Sequence, residues 1–284
     1  MVSEHDIDYQ RRFGGVARLY GAAALQIYAK AHVCVIGVGG VGSWVVEALA
    51  RSAIGELTLI DLDNVAESNI NRQIQALSST VGMAKIEALA QRIAEINPTC
   101  RVNLIEDFLS ADNLASLIPA GRFDYVIDAI DETKAKVALI AHCREYAIPL
   151  VTIGAAGGQI DPGKIEVRDL SRTEQEPLLA LVRKRLRQKH GFPRGAKSKF
   201  GIDAVFSTEA LQVPEGMPAC DLAADAELDN HAASPALSGI NCAGFGSSVV
   251  VTASFGLRAA AHVLNRLRPA QEQSEPPVPS NFSR

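Results

Sequence analysis

Residues 33–42, VCVIGVGGVG, place four glycines directly after a short apolar run, a spacing that lets backbone amides approach a phosphate group. Gly37 permits a tight turn at the end of a strand, and Gly39 leaves space for an anion beside the backbone. Gly40 and Gly42 continue the loop into a helix whose amino-terminal amides carry partial positive charge. Such a loop binds the pyrophosphate of a redox dinucleotide or the phosphates of ATP, and in some proteins it binds no ligand.

Polar residues that follow the loop favour ATP. Asp61 ends the next apolar run, where a carboxylate can bind a ribose hydroxyl group of either ligand. Arg72 and Lys85 come next, and attack on the α-phosphate of ATP requires such cations beside its oxygen atoms. Lys85 alone would be equally compatible with a solvated helix face. The same stretch also contains Asp63, Asn69 and Gln73.

Alternating strand and helix patterns from residue 31 onward must position these residues. Five short apolar runs, at 32–37, 56–61, 101–107, 124–130 and 149–154, alternate with helical patterns near 42–53, 82–96, 111–117 and 134–146. Continuous apolar strands joined by helices indicate a parallel sheet that is covered on both faces. The sequence therefore predicts an α/β fold with a doubly wound, Rossmann-like, mainly parallel sheet.

A further carboxylate is predicted to share the site with Asp61. Asp131 follows the fourth apolar run, and ligands of open α/β sheets lie at the carboxyl ends of the strands. Asp131 is therefore a candidate ligand for Mg²⁺. The neighbouring carboxylate, Asp128, is expected to point inward.

The pattern changes after Gly154. Residues 161–164, DPGK, predict a turn between two extended runs and hence an antiparallel hairpin appended to the sheet. A charged helix over 174–190 and a C-terminal helical region near 247–264 follow, with a long surface loop at 214–239 between them. We expect one domain over residues 1–268, with a core at about 10–160 and a substrate-binding extension at about 161–268, before a disordered tail at 269–284.

Composition limits the classes of partner. The net charge of −4 gives no overall attraction to nucleic acid, so DNA is not expected as a partner and an RNA would need a local basic patch. Arg258 and His262 interrupt the most apolar segment, which argues against a membrane span. The first residues lack an apolar signal core, which favours a cytoplasmic protein. The five cysteines are widely spaced and contain no Cys-x-x-Cys pair, which argues against a disulfide framework or a cysteine-rich zinc site.

A basic segment at residues 183–199, RKRLRQKHGFPRGAKSK, meets the requirement for a local patch. It contains no acidic residue and therefore could bind the phosphates of an RNA, although a solvated charged helix with a flexible loop has the same composition. The candidate RNA-binding residues in it are Arg183, Arg185, Arg187, Arg194 and Lys197.

The combined motifs resemble the adenylation domain of the ubiquitin-activating-enzyme-like superfamily over roughly residues 10–160. The matching elements are Gly37-x-Gly39-Gly40-x-Gly42, Asp61-Leu-Asp63, Ser68-Asn69-x-x-Arg72-Gln73, Val81-Gly82-x-x-Lys85 and Asp128-x-x-Asp131. The resemblance implies that these residues bind ATP, with Asp61 on the ribose, Arg72 and Lys85 on the phosphates, and Asp131 on Mg²⁺. A bound monovalent cation is a further possibility.

The resemblance also implies a homodimer in which an arginine near the N-terminus of one subunit reaches the ATP of the other. Gly15 stands at the aligned position, so Arg12 and Arg18 are the substitutes, and we take Arg18 as the catalytic candidate.

Within the superfamily, the chain is similar to a tRNA-modifying branch. The similar segments are RFGGVARLYG, IDAIDETKAK, GGQIDPGKI, VFSTEAL and NCAGFGSSVVVTASFG. That similarity implies the ATP-dependent dehydration of N6-threonylcarbamoyladenosine at position 37 of tRNA, through activation of its carboxylate and closure of the carbamoyl group upon it. Possible protein partners are a cysteine desulfurase and sulfur-acceptor proteins.

Two alternatives remain at this point. The chain could adenylate the C-terminus of a sulfur-carrier protein, although such enzymes usually contain paired Cys-x-x-Cys zinc ligands that are missing here. It could also be a nucleotide-binding scaffold or an oxidoreductase, against which Arg72 and Lys85 argue. Cys242 is the thiol that a protein-activating enzyme would use, but ring closure is intramolecular and needs no such acyl carrier.

Overall fold

A seven-stranded sheet with helices on both faces forms the centre of the protein. The computed structural model describes residues 8–195, 197–212 and 245–269. The helices are α1 (Tyr9–Tyr20), α2 (Ala22–Tyr28), α3 (Gly42–Arg51), α4 (Lys85–Ile96), α5 (Leu114–Leu117), α6 (Thr133–Glu145), α7 (Pro177–Lys189) and α8 (Val249–Leu267). The strands are β1 (His32–Ile36), β2 (Glu56–Ile60), β3 (Arg101–Ile105), β4 (Tyr125–Asp128), β5 (Leu150–Ile153), β6 (Ile165–Asp169) and β7 (Asp203–Ser207).

The strand order is β3-β2-β1-β4-β5-β7-β6, and every neighbouring pair is parallel except β7 and β6. The chain runs outward from β1 to β3 and then returns to place β4 on the other side of β1. The order thus reverses between β1 and β4. In open α/β sheets, a crevice for ligands lies at the carboxyl ends of the strands at such a reversal.

Two hydrophobic cores cover the two faces of the sheet. Alternate residues of β1 point in opposite directions, so that Val33 and Val35 pack with α3, α4 and α8, whereas Cys34 and Ile36 pack with α5, α6 and α7. Both faces are apolar because both are buried, which is the reason for the continuous apolar runs in the sequence.

The predicted α/β fold with a doubly wound, mainly parallel sheet is confirmed, including an appended antiparallel pair and a C-terminal helix. The partner in the antiparallel pair differs from the prediction. Residues 162–164 form a 3-10 turn, and β6 pairs with β7 rather than with the residues directly before that turn. The chain between the two antiparallel strands passes through α7 and then returns to place β7 between β5 and β6.

The predicted surface loop at 214–239, Cys242 and the tail from residue 270 onward lie outside the described residues. Within the described ranges, no helix is both long enough and apolar enough to cross a membrane. The most apolar segment of the sequence forms α8, which buries one face through Val251, Phe255 and Val263.

Candidate active site

The glycine loop follows β1 directly and is held against the end of β4. Gly37 has a φ of +80°, and a Cβ atom there would lie 2.8 Å from the carbonyl oxygen of Ala129. A Cβ atom on Gly42 would lie 1.9 Å from the carbonyl oxygen of Gly37, which no side chain can satisfy. These two glycines are therefore required by the loop itself, while Gly39 and Gly40 leave room for the side chains of Gln73 and Arg72 to approach it.

Asp61 ties the end of β2 to this loop. One carboxylate oxygen accepts the backbone N–H of Val38 at 2.7 Å and the other accepts the N–H of Asp63 at 2.9 Å. Burial raises the pKa of Asp61, whereas the nearby Lys85 and the two amides act in the opposite direction. Each oxygen retains a lone pair, so the carboxylate can also accept ribose hydroxyl groups.

Lys85 begins α4 and lies between two carboxylates. Its Nζ atom lies 2.6 Å from an oxygen of Asp63 and 3.9 Å from an oxygen of Asp61. The side chain of Lys85 is only 8% exposed, but that of Asp63 is 59% exposed. A phosphate group can therefore replace the solvated Asp63 as the partner of this ammonium group without leaving a buried charge unpaired.

Arg72 reaches the loop from the segment between β2 and α4. Its Nη1 atom donates to the carbonyl oxygen of Ser68 at 2.6 Å and to the side chain of Asn71 at 3.1 Å. The aliphatic part of the side chain lies against Gly40, and Nε is buried without an acceptor among the described residues. A buried donor without a partner is costly, and an oxygen of a bound phosphate would satisfy it. This observation fits the predicted triphosphate site.

Asn69 and Gln73 support the same segment from inside. The side chain of Asn69 accepts the backbone N–H of Ala66 at 3.0 Å, and Gln73 accepts from Gln75 at 3.0 Å. Gln75 is 1% exposed and also donates to the carbonyl oxygen of Val38 in the glycine loop at 3.1 Å. Gln75 thus connects the arginine segment with the glycine loop, although it is not among the residues predicted from the sequence.

The two aspartates at the carboxyl end of β4 have different surroundings. Asp128 is fully buried, as expected, and its carboxylate lies 2.8 Å from the Nζ atom of Lys136. Asp131 is exposed and has no ion pair with any residue that the structure describes. Asp131 is thus available as a ligand. Since the described chain holds no group of three or more metal-binding side chains, a metal here would need most of its ligands from phosphates or water.

The two arginines of α1 that are candidates for the partner's site have different contacts. Arg12 donates from Nη1 to the carbonyl oxygens of Glu95 and Ile96, both at 2.9 Å, and so caps the C-terminus of α4. Arg18 lies exposed in the last turn of α1, away from these contacts. The structure does not bring Arg18 or Arg12 into contact with the glycine loop of the same chain.

The basic segment forms the C-terminal half of α7 and the loop after it. Arg183, Lys184, Arg187 and Arg194 line a shallow cavity of about 340 Å³ whose lining contains no carboxylate. Arg183 donates to the hydroxyl group of Thr173, and its partial burial lowers its pKa. The guanidinium group of Arg187 lies 5.1 Å from the centre of the Phe200 ring. Arg185 is half-buried and Lys197 is exposed.

The reversal of the strand order and the glycine-rich loop beside it define a doubly wound α/β protein, a class in which ligands bind at the carboxyl ends of the strands. Comparison with known families then gives a narrower result: the chain belongs to the ThiF family, whose model matches residues 9–274. The superfamily resemblance predicted from the motifs is thereby confirmed.

Relatives place the chain within that family. It is 51% identical over 91% of its length to a tRNA threonylcarbamoyladenosine dehydratase of Escherichia coli, of which the match covers 94%. It is 49% identical over 92% of its length to the enzyme of the same name from Haemophilus influenzae, again covering 94% of that protein. A solved structure of the Escherichia coli tRNA N6-threonylcarbamoyladenosine dehydratase in complex with ATP matches 94% of this chain and 96% of that one, with 48% identity and a TM-score of 0.79.

Proposed function

We propose that this protein uses ATP to dehydrate N6-threonylcarbamoyladenosine at position 37 of tRNA. The observation that carries this proposal is the 51% identity, over nearly the full length of both chains, to an enzyme named for that reaction. The ATP complex of a relative with 48% identity supports ATP binding. The comparisons favour this function over adenylation of a sulfur-carrier protein, the alternative that the sequence left open.

The chemistry explains why ATP is needed. A carboxylate is a poor electrophile, and transfer of a phosphoryl or adenylyl group to it creates a good leaving group. The carbamoyl group of the same nucleoside then attacks the activated carbon, and the phosphate-containing group leaves. Because the attack is intramolecular, positioning of the nucleoside replaces an external nucleophile. An enzyme of this kind needs no catalytic cysteine, so Cys242 is not assigned a role.

The residues around the glycine loop bind ATP in the proposed reaction. Residues 37–42 hold the phosphates with backbone amides, and Asp61 binds the ribose. Arg72 and Lys85 stabilise the negative charge that develops on the phosphate oxygens. The support for Arg72 is its buried Nε atom without an acceptor, and the support for Lys85 is its position between Asp61 and the exposed Asp63.

Mg²⁺ is proposed to bind at Asp131, whose carboxylate is exposed and unpaired within the described chain. When bound, the ion shields the charge on the phosphates.

We also propose a homodimer, in which Arg18 of each subunit would reach the other subunit's site, because Arg12 is already engaged at the end of α4. For a monovalent cation and for sulfur-transfer partners, the support is the sequence resemblance alone.

The proposed function also assigns roles to the two parts of the domain and a location in the cell. Residues up to about 160 supply the nucleotide site, and the extension from about 161 to 268 would bind the RNA through α7 and its following loop. A cytoplasmic location is proposed because the substrate is tRNA.

Mass spectrometry of tRNA nucleosides tests the function directly. Incubation of the protein with MgATP and tRNA that carries threonylcarbamoyladenosine is expected to produce a nucleoside that is lighter by one water molecule. Omission of ATP is the control and should give no product. Unchanged nucleosides in the complete reaction, under conditions in which the protein binds ATP, would contradict the proposed substrate.

The basic segment gives a separate prediction about RNA binding. Substitution of Arg185, Arg194 and Lys197 by glutamine is expected to weaken tRNA binding. The slope of the logarithm of the binding constant against the logarithm of the salt concentration should become shallower, by up to about 0.7–0.9 for each phosphate that is no longer neutralised. Arg187 is left unchanged because it packs on Phe200. Binding is measured over a series of salt concentrations, and ATP affinity should stay the same.

A matched triple variant of basic residues outside the segment is the control, with Lys30, Lys164 and Arg258 changed to glutamine. It has the same net charge as the test variant, so any general effect of charge appears in both. If the two variants show equal salt dependence of tRNA binding, the RNA contacts a different surface.

A further inference from the structure

Arg72, on which the proposed function depends for phosphate binding, lies in a segment with little regular structure of its own. One 3-10 turn at Glu67–Asn69 precedes it, and the next helix begins only at Lys85. Its stem lies against Gly40, where a Cβ atom would be 3.3 Å from the arginine Cγ and Cδ atoms. Within the segment, the guanidinium group donates to the Ser68 carbonyl oxygen at 2.6 Å, so contacts from outside are needed to fix the segment itself and Arg72 with it.

Trp44 supplies a contact of this kind at the backbone of Arg72. Its indole N–H donates to the Arg72 carbonyl oxygen at 3.0 Å. Trp44 lies in the first turn of α3, directly after the glycine loop, and α8 packs closely behind it. A Cβ atom on Gly256 of α8 would lie 2.7 Å from the Cβ atom of Trp44. Trp44 thus contacts α8 at its Cβ atom and the arginine segment through its indole N–H group.

Asn71 supplies the second contact, at the guanidinium group. Its side-chain amide donates to the carbonyl oxygen of Ser247 at 2.8 Å, just before α8, and its oxygen accepts from Arg72 at 3.1 Å. The hydroxyl group of Thr252 also approaches the Arg72 carbonyl, at 3.4 Å, but lies closer to the carbonyl oxygen of Ser248 at 3.2 Å. A single hydroxyl proton favours the shorter contact, so Thr252 contributes less.

We propose that Trp44 and Asn71 are positioning residues that hold Arg72 for binding of the ATP phosphates. Trp44 fixes the backbone of Arg72 relative to α3, and Asn71 orients the guanidinium group relative to the start of α8. Both residues act through Arg72 and neither is assigned a contact with ATP.

Calorimetric titration with ATP, in the absence of RNA, tests the proposal. Trp44→Phe removes the indole donor but keeps an aromatic ring, and Asn71→Ala removes both hydrogen bonds of an exposed side chain. Each variant is expected to bind ATP about three- to tenfold more weakly, the range for removal of one hydrogen bond, because only one of the two Asn71 bonds reaches Arg72. In an Arg72→Lys background, each change should weaken binding less than twofold, because the group that it positions is already altered.

Ser254→Ala is the matched control, since it removes a hydrogen bond to the Val250 carbonyl within α8 that does not involve Arg72. ATP affinity should be unchanged. Steady-state kinetics give a second readout: the KM for ATP should rise in Trp44→Phe and Asn71→Ala, whereas the KM for tRNA should not. A general loss of structure would raise both.

Equal losses of ATP affinity in the native and Arg72→Lys backgrounds, or no loss in either, would overturn the proposal. If Trp44→Phe does not fold, Asn71→Ala decides the question alone, because the residue is exposed. Absence of ATP binding by the unaltered protein would refute the proposed function and this inference together. ATP binding without formation of the dehydrated nucleoside would refute the proposed substrate only.

Discussion

Replacement of Lys85 by methionine is expected to lower the rate of ATP-dependent product formation by about 10²–10³-fold, the usual effect of removing one preorganised charge contact from a transition state. Methionine keeps the unbranched stem, so the packing of this nearly buried side chain is largely retained. Asp131→Asn is expected to have an effect of the same order, because it removes the proposed metal ligand at constant size. Single-turnover rates at saturating MgATP and tRNA measure both effects.

Lys134→Met is the control for Lys85. Lys134 is an exposed lysine at the start of α6 and has no ion pair among the described residues, so its substitution changes the net charge equally. Its rate should stay within about twofold of that of the unaltered protein. Thermal melts of all variants separate a loss of chemistry from a loss of folded protein. A folded Lys85→Met enzyme that is as active as Lys134→Met would show that the phosphates bind elsewhere.

The fold was largely predictable because burial on both faces leaves a clear signal in the sequence. The five runs that were predicted as parallel strands all form strands, and the helices between them lie where the helical patterns predicted them. Helices α1 and α2 were not predicted. Helix α1 buries only Phe13 and Gly14, and it packs through Phe13 against Leu25 and Ala53, contacts that depend on tertiary structure.

The predicted partner of β6 in the antiparallel pair was wrong for a similar reason. The DPGK turn was recognised correctly as a break, but turn residues specify local geometry and do not select the strand with which the next segment pairs. Pairing of β6 with β7 follows from the return of the chain over α7, whose Leu179, Val182 and Leu186 are fully buried against the sheet.

In the candidate site as well, residues in local motifs were predictable and residues that act through tertiary contacts were not. Motif spacing predicted the positions of the glycine loop, Asp61, Arg72 and Lys85, and the structure brings Asp61 and Lys85 to within 3.9 Å. Gln75 and Trp44 could not be found in this way. Each acts through a hydrogen bond to a backbone carbonyl group 37 or 28 residues away, and a contact with a carbonyl leaves no residue-specific pattern in the sequence.

The second large effect concerns the buried ion pair at the end of β4. Lys136→Met is expected to lower the free energy of unfolding by about 3–5 kcal/mol, because removing one partner leaves a buried charge without compensation. The Nζ atom of Lys136 lies 2.8 Å from Asp128 and also donates to Thr152 at 3.1 Å and to the Ile153 carbonyl at 3.0 Å. Both charged side chains are 0% exposed. A fall in Tm of roughly 6–20 °C corresponds to this loss.

The loss of stability in Lys136→Met should be smaller at low pH than at high pH. Burial raises the pKa of nearby Glu176, and the charge of Lys136 opposes that shift. Without Lys136, Glu176 favours its protonated form more strongly in the folded state. A carboxyl group whose folded pKa is raised stabilises the fold most below its unfolded pKa, and this contribution disappears as the pH rises through the folded pKa. The destabilisation by Lys136→Met should therefore be smaller at pH 5 than at pH 8.

A double variant identifies the isolated charge as the cause. Lys136→Met combined with Asp128→Asn removes both members of the pair, and asparagine can still accept the backbone N–H of Ile130, which Asp128 accepts at 3.1 Å. Chemical denaturation should show that the double variant is more stable than Lys136→Met alone, whereas Lys134→Met, two residues earlier on the exposed face of α6, should match the unaltered protein. If the two buried substitutions instead destabilise additively, the cost comes from the loss of packing and hydrogen bonds around Thr152 rather than from an unpaired charge.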